Sequence, residues 1–217
     1  MLNLDAIRES IPYIQSGLWT TVLLAAILIP AAFLCGLAIG VLATSRSLAI
    51  RALTFTYIDF FRSFPPLVLI IFIFYALPFL GLRLPELPAF ILAMTLNGSS
   101  YFAEIIRAGI QSIPKGQYEA GRSTGLSTIQ TMVYIVLPQA LKNVTPPLLS
   151  NCIELFKATS LASVVAIAEL LRSARIAQGL MFDPSPLLLA ALVYFVILWP
   201  CVRLLSRLER RSLTWIV

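Results

Sequence analysis

From Leu18 to Ala43 the chain runs without a single Asp, Glu, Lys or Arg. That is longer than the ~20 apolar residues a helix needs to cross the hydrocarbon core of a bilayer. In lipid a backbone must satisfy its own hydrogen bonds, which leaves a helix or a closed barrel. The run shows none of the strict alternation of a barrel strand, so it predicts a membrane helix. The rest of the chain agrees. Of its 217 residues 59% are hydrophobic and 12% charged, against about 45–50% and about 25% in soluble domains. Mean hydropathy is +0.91. An all-α integral membrane protein follows.

Composition also removes several functions. With no histidine in the chain, histidine metal ligation and Ser-His-Asp catalysis are excluded. Cys35, Cys152 and Cys201 lie far apart in apolar stretches, so neither a disulfide framework nor a zinc site is indicated. The net charge of +6 is spread between apolar segments rather than gathered in one patch, which argues against nucleic acid and for the positive-inside rule.

Five spans are predicted: 18–43, 63–82, 88–108, 146–171 and 187–205. The start of the chain lacks the basic region and cleavage site of a signal peptide, so the first apolar run is expected to stay as a span. One set of loops and the tail carries Arg46, Arg51, Lys115, Arg122, Lys142, Arg203, Arg207, Arg210 and Arg211. The other carries Arg8, Arg83, Arg172 and Arg175. The more basic set faces the cytoplasm, which places the N-terminus outside and the C-terminus inside. The chain then reads as one transmembrane domain, 1–217. Residues 1–17 form an external interfacial segment, with Ile7, Ile11 and Ile14 at helical spacing suggesting a short helix over 4–16. Residues 109–145 form a cytoplasmic loop region. Gly36 and Gly40, four apart in the first span, allow close helix approach.

The polar stretch "IPKGQYEAGRSTGLSTIQ", 113–130, interrupts this pattern. Pro114 suits a helix start, and Gly125 falls where a helix C-cap glycine belongs, so a short helix over about 117–124 is predicted. A helix of two turns is marginal alone and must pack on something: its own chain, or a soluble partner meeting Gln117, Tyr118, Glu119, Ala120, Gly121, Arg122 and Gly125.

From Glu119 to Pro138 the chain resembles the EAA loop of ABC importer permeases. Glu119, Ala120, Gly125, Ile135, Leu137 and Pro138 stand at the required spacing, and Gly121 replaces the usual second alanine. "YIDFFRSFPPLVLIIFIFYALP", "SSYFAEIIRAGIQSIPKGQYEAGRSTGLS", "LPQALKNVTPPLLSN" and "FKATSLASV" are similar to permeases of the polar amino acid uptake family and cover most of 57–165. The resemblance implies a non-catalytic permease subunit in the bacterial inner membrane. It implies a second permease subunit, the same or a homologous chain, two cytoplasmic ATPase subunits that hold ATP and Mg, and an extracytoplasmic amino acid-binding protein. The EAA loop would be the coupling helix. The absence of a Gly-x-x-x-x-Gly-Lys-Ser/Thr phosphate loop fits that division of labour. A stand-alone secondary transporter or channel is the competing reading, but no internal repeat favours it.

Ionisable residues inside a span mark pathways. Glu104 and Arg107, three apart, form either a structural ion pair or a substrate contact. Glu154 is a candidate for the ammonium group of an amino acid, or a partner for Lys157. Asn97, Ser99, Ser100 and Tyr101 form a polar band that either lines a cavity or bonds neighbouring helices. Thr159 and Ser160 complete the candidate substrate pathway. The family pattern after the lysine is Asp-Thr-Ser-Leu, and Ala158 stands where the aspartate is expected. Asp59 and Arg62 are expected to pair at the entrance of the second span.

Overall fold

A computed structural model describes residues 3–213, with side chains through residue 210; Arg211, counted above with the basic tail, lies outside the described side chains. Among the described residues all regular structure is helical. Four helical segments are long and apolar enough to cross a membrane: α1 (Leu4–Leu42), α4 (Glu86–Gln111), α8 (Thr145–Ala158) with its 3-10 extension through Val165, and α10 (Ser185–Leu213). A fifth crossing arises if α2 (Leu48–Ser63) and the segment Pro66–Leu80, which begins with α3 (Pro66–Ile71), count as one span bent by 100°. Short helices α5 (Lys115–Ser123), α6 (Thr128–Thr131) and α7 (Leu137–Asn143) separate α4 from α8, and α9 (Leu170–Met181) precedes α10.

Three boundaries differ from the sequence reading. The separate helix expected over 4–16 is the beginning of α1, which runs 39 residues, about 58 Å at ~1.5 Å per residue. Asn3 caps it, its Oδ1 accepting from Asp5 N and Ala6 N. Ala6, Ser10, Ile14 and Gly17 form a buried stripe on one face. That packing carries the helix through Pro12 at the cost of one backbone hydrogen bond. The second span begins earlier than Ser63, because Pro65 and Pro66 stop α2 and restart the chain in a new direction. The fourth span ends at Val165, where Ala166 takes a left-handed φ of 66°. Glu169 then caps α9, its carboxylate accepting from Leu171 N and Arg172 N at 2.8 Å each.

The tightest helix pair is α1 with α4. Gly98 lies against Ala32, Gly36 against Phe102, and Gly40 against Ile106, so the two helices run parallel in a constant register. A methyl group at Gly36 would sit 2.4 Å from Phe102 Cβ and 2.8 Å from the Ser99 carbonyl oxygen. Lipid tails are as apolar as leucine, so helices in a bilayer associate by such close contact rather than by hydrophobic exclusion. α4 also packs antiparallel on α8, where Gly98 meets Leu155 as well as Ala32, and on the end of α7, where Gly109 meets Ala140 O and Val144. At the far end of the bundle, Leu170 N donates to Thr21 Oγ1 (3.0 Å) and Tyr194 O–H to Glu169 (3.1 Å), joining α1, α9 and α10.

Gly36→Ala should lower the stability of the purified protein by about 1–3 kcal/mol through overpacking, despite its better helix propensity. Gly179→Ala in α9, where an added Cβ meets nothing within 4 Å, should be neutral or stabilising by up to ~1 kcal/mol. Thermal unfolding of the two variants side by side checks the contrast.

Candidate functional site

The polar stretch folds as the nine-residue helix α5. Its end is a full Schellman cap: Gly125 N–H donates to Arg122 O, Leu126 N–H donates to Gly121 O, and Gly125 has φ 84°. The helix is held to its own chain along one edge. The Tyr118 hydroxyl donates to Ile110 O at the end of α4 (3.2 Å), and burial raises its pKa. Gly121 is buried, and a Cβ there would meet Thr131 Cγ2 at 2.7 Å and Ile135 Cδ1 at 2.9 Å.

The remaining docking candidates face outwards. Glu119 and Ala120 are exposed, and no contact of the Glu119 carboxylate is found among the described residues. Gln117 accepts from Gln139 (3.3 Å), and Arg122 donates to Leu126 O (3.1 Å), closing the loop behind the helix. So Tyr118 and Gly121 form the inner edge of α5, whereas Glu119, Ala120 and the exposed Ser123 form its free surface.

The candidate substrate residues fall into separate groups. Asn97, Tyr101 and Glu154 line one cavity of about 280 Å³ between α4 and α8, together with Pro66, Met94, Gly98, Asn151, Leu155 and Ala158. A second cavity, of about 330 Å³, shares Asn151 and Glu154 and adds Ile105, Pro147, Ser150 and Glu209. Its lining lies nearer the α5 end of the bundle. Ser160 lines a different cavity with Lys157, Arg175 and Tyr194. Ser100 and Thr159 are fully buried, and their hydroxyls donate to the carbonyls of Asn97 and Phe156 three residues back. Ser99 is also fully buried and bonds Tyr57 of α2 at 2.7 Å.

The ions are paired in two ways. Arg107 grips Glu104 with two hydrogen bonds, 2.9 and 2.6 Å, and also donates to Gln111. This fork is the strong form of a charged pair, and it leaves Glu104 outside the cavity. Glu154 pairs with Lys157, but both are largely exposed, so solvent weakens the pair. The expected Asp59–Arg62 pair is not formed among the described residues. Arg62 sits over the Tyr101 ring instead, 5.4 Å from its centre. The face of an aromatic ring attracts a cation held within about 6 Å of its centre.

Asn97 has a second task. Its Nδ2 donates to Phe61 O (2.9 Å) and Phe64 O (3.4 Å), capping the end of α2. Asn151, on the same cavity wall, was not legible as a site residue. Its Nδ2 is buried without a hydrogen-bond partner, one of two such side-chain atoms among the described residues, with Thr95 Oγ1. An unmade bond of this kind costs about 1–3 kcal/mol, and no sequence spacing signals it.

Residues 32–213 match the family described as the inner membrane component of binding-protein-dependent transport systems. The probable glutamine ABC transporter permease GlnP of Bacillus subtilis is 40% identical over 209 residues, covering 94% of this chain and 96% of that protein. The L-cystine permease TcyB of the same organism is 33% identical, covering 95% and 90%. A solved amino acid ABC transporter, crystallised with histidines, superposes with a TM-score of 0.86 at 34% identity over 97% of this chain and 99% of that one. The inward-facing MetNI methionine transporter matches at a TM-score of 0.75 and 19% identity, covering 93% of this chain and 97% of that one, which is a likeness of fold. A family match across most of the chain, backed by relatives aligned almost end to end, means that this chain belongs to the binding-protein-dependent transport inner membrane components, multi-pass subunits of bacterial importers.

Proposed function

We propose that this chain is the permease subunit of an ABC importer for a polar amino acid or amino acid derivative. In this reading α5 is its coupling helix, docked on a cytoplasmic ATPase. The single observation that carries it is α5 itself: capped at its C-terminal end, anchored along Tyr118 and Gly121, and presenting Glu119 and Ala120 with nothing of its own chain against them. A nine-residue helix is too short to be stable alone, so its outward face is a surface prepared for a partner.

The charge pattern supports the orientation. Arg46, Arg51, Lys115, Arg122, Lys142, Arg203, Arg207 and Arg210 lie at the α5 end of the bundle. Arg8, Arg83, Arg172 and Arg175 lie at the other, where Asp5, Glu9, Glu86 and Asp183 accompany them. The α5 end is therefore cytoplasmic, and the start of α1 and α9 face outside. A binding protein delivers the substrate to that outer end. The two cavities that share Glu154 then form the inner part of the route. ATP and Mg stay on the partner ATPase subunits, and a second permease subunit completes the pathway. Because Tyr118 ties α5 to the last turn of α4, a displacement of α5 by the ATPase reaches α4, and with it Tyr101 on the cavity wall.

Two experiments test this. In co-expressed complexes, Glu119→Lys should cut copurification of the ATPase and uptake of labelled amino acid into proteoliposomes by about tenfold or more, as expected for a charge reversal at an interface. Gly125→Arg should act in the same direction, because its left-handed φ costs a side-chain-bearing residue about 1–2 kcal/mol. Intact copurification and uptake in both variants would remove α5 as the docking element. Glu154→Gln should leave the complex assembled and lower uptake by about tenfold, the loss of one charged hydrogen bond. Unchanged uptake would take Glu154 off the route.

A further inference from the structure

We infer that the outward face of α10 holds an anionic phospholipid from the leaflet at the α5 end of the bundle. Its phosphate sits among Arg203, Arg207 and Arg210, and its acyl chains lie along Leu188, Leu192 and Val196. The inference needs only the place of the bundle in a bilayer and stands whether or not α5 docks an ATPase.

The helix itself sets the arrangement. Leu188, Leu192, Val196, Trp199, Arg203, Arg207 and Arg210 follow one another at steps of three or four, so they share one face of α10. All of them are exposed, whereas Leu205, on the opposite side of the same turns, is buried. Packing at Leu205 therefore turns the basic face away from the bundle. From Leu188 to Trp199 the helix rises about 16 Å at ~1.5 Å per residue. One leaflet of hydrocarbon is about 15 Å deep, so the apolar part of the face has the length of a lipid's tails.

Beyond that length the face changes character. Trp199 stands at the boundary, where an amphipathic ring belongs, and stacks on Phe195 with 6.2 Å between ring centres. A groove of about 570 Å³ follows, lined by the three arginines with Trp199, Pro200, Leu204 and Ser206. No carboxylate lines it among the described residues. Glu209, next to Arg210 in the chain, lines a different cavity with Glu154. Arg203 lies over the Trp199 ring, 5.3 Å from its centre, which holds its guanidinium at the level where tails give way to headgroups. Guanidinium forks match phosphate oxygens.

Apolar, aromatic and basic zones in that order are the zones of an anionic phospholipid read from tail to phosphate. A free phosphate would use the arginines and leave the apolar length bare. A second copy of the chain, joined about a twofold axis through this face, would set arginine against arginine, and like charges brought together in an interface are costly.

The test places the full chain, with the subunits that copurify with it, in nanodiscs of phosphatidylglycerol and phosphatidylcholine in equal amounts. Photoreactive p-benzoylphenylalanine stands in place of Leu204, which is exposed in the groove, and mass spectrometry identifies what it captures on irradiation. An arginine beside an anionic membrane contributes about fivefold, so phosphatidylglycerol adducts should exceed phosphatidylcholine adducts by about tenfold or more. Arg207→Gln alone should lower that excess by about three- to fivefold. Arg203→Gln, Arg207→Gln and Arg210→Gln together should reduce it to about twofold or less, with phosphatidylcholine adducts still forming and so reporting that the face remains in the membrane. Arg46→Gln, Arg51→Gln and Lys142→Gln together, at the same end but outside the groove, should leave the excess unchanged. Equal adducts with both lipids would overturn the inference, as would an excess that survives the loss of all three groove arginines. An equal loss in the Arg46, Arg51 and Lys142 variant would overturn it by reducing the site to the general charge of that end. Adducts to another subunit in place of lipid would overturn it by making the face a protein interface.

Discussion

The close contact of α1 with α4 is the constraint on which the rest of the bundle depends. At Gly36 the two backbones approach so nearly that no β-carbon fits between them. In a bilayer such contact replaces the exclusion of water as the force between helices. It fixes the height and rotation of α4, and α4 in turn positions α2, α3, α7 and α8. Its Asn97 holds the end of α2, its Leu96 carbonyl and Ser99 hold Tyr57, and its Gly98 receives Leu155 of α8. The cavity wall is one further face of the same helix. A small change in how α4 sits against α1 would therefore alter the cavity and the base of α5 together.

The position of Gly121 becomes intelligible in this setting. The loop pattern expects alanine there, and a glycine invites the thought that docking is loosened. The structure puts Gly121 on the inner edge of α5, against Thr131 and Ile135. Its size governs how closely α5 lies on its own chain, and the outward face is left to Glu119 and Ala120. A helix pressed this closely on α6 and the turn that follows moves with them, so the substitution tightens the internal joint of the loop.

The apolar runs made the spans of α1, α4 and α10 legible, because length and hydropathy are enough to identify a crossing. The bend at Pro65 was less so, since α2 carries Arg51, Asp59 and Arg62 and reads as a polar connection rather than as half of a broken span. The candidate site was legible where the signal was an ion in an apolar context, as with Glu154 and the Glu104–Arg107 pair. It was not legible for hydroxyls. Ser100 and Thr159 look like pathway groups in sequence, yet each satisfies itself on its own helix, and spacing cannot distinguish the two uses. Asn151 escaped notice for the opposite reason: its amide nitrogen is buried without a partner, which spacing does not signal.

The Leu-Pro at the end of the loop signature also has a physical consequence, and the same dipeptide elsewhere in the chain repeats it. Met132–Val136 is a turn of π-helix, closed by Leu137 N–H donating to Met132 O, and Pro138 follows. Phe72–Ala76 is another, closed by Leu77 N–H donating to Phe72 O, and Pro78 follows. Proline cannot donate to the carbonyl four residues back and its ring crowds that carbonyl; a widened turn just before it relieves the crowding. In the loop the widened turn carries Ile135, which packs on Gly121. The proline that interrupts the regular helix thus shapes the seat on which α5 rests, and wide turns of this kind are frequent at functional sites. The seat and the docking face are consequently set by one short segment, from Glu119 to Pro138, which is why the spacing across it carries so much of the chain's identity.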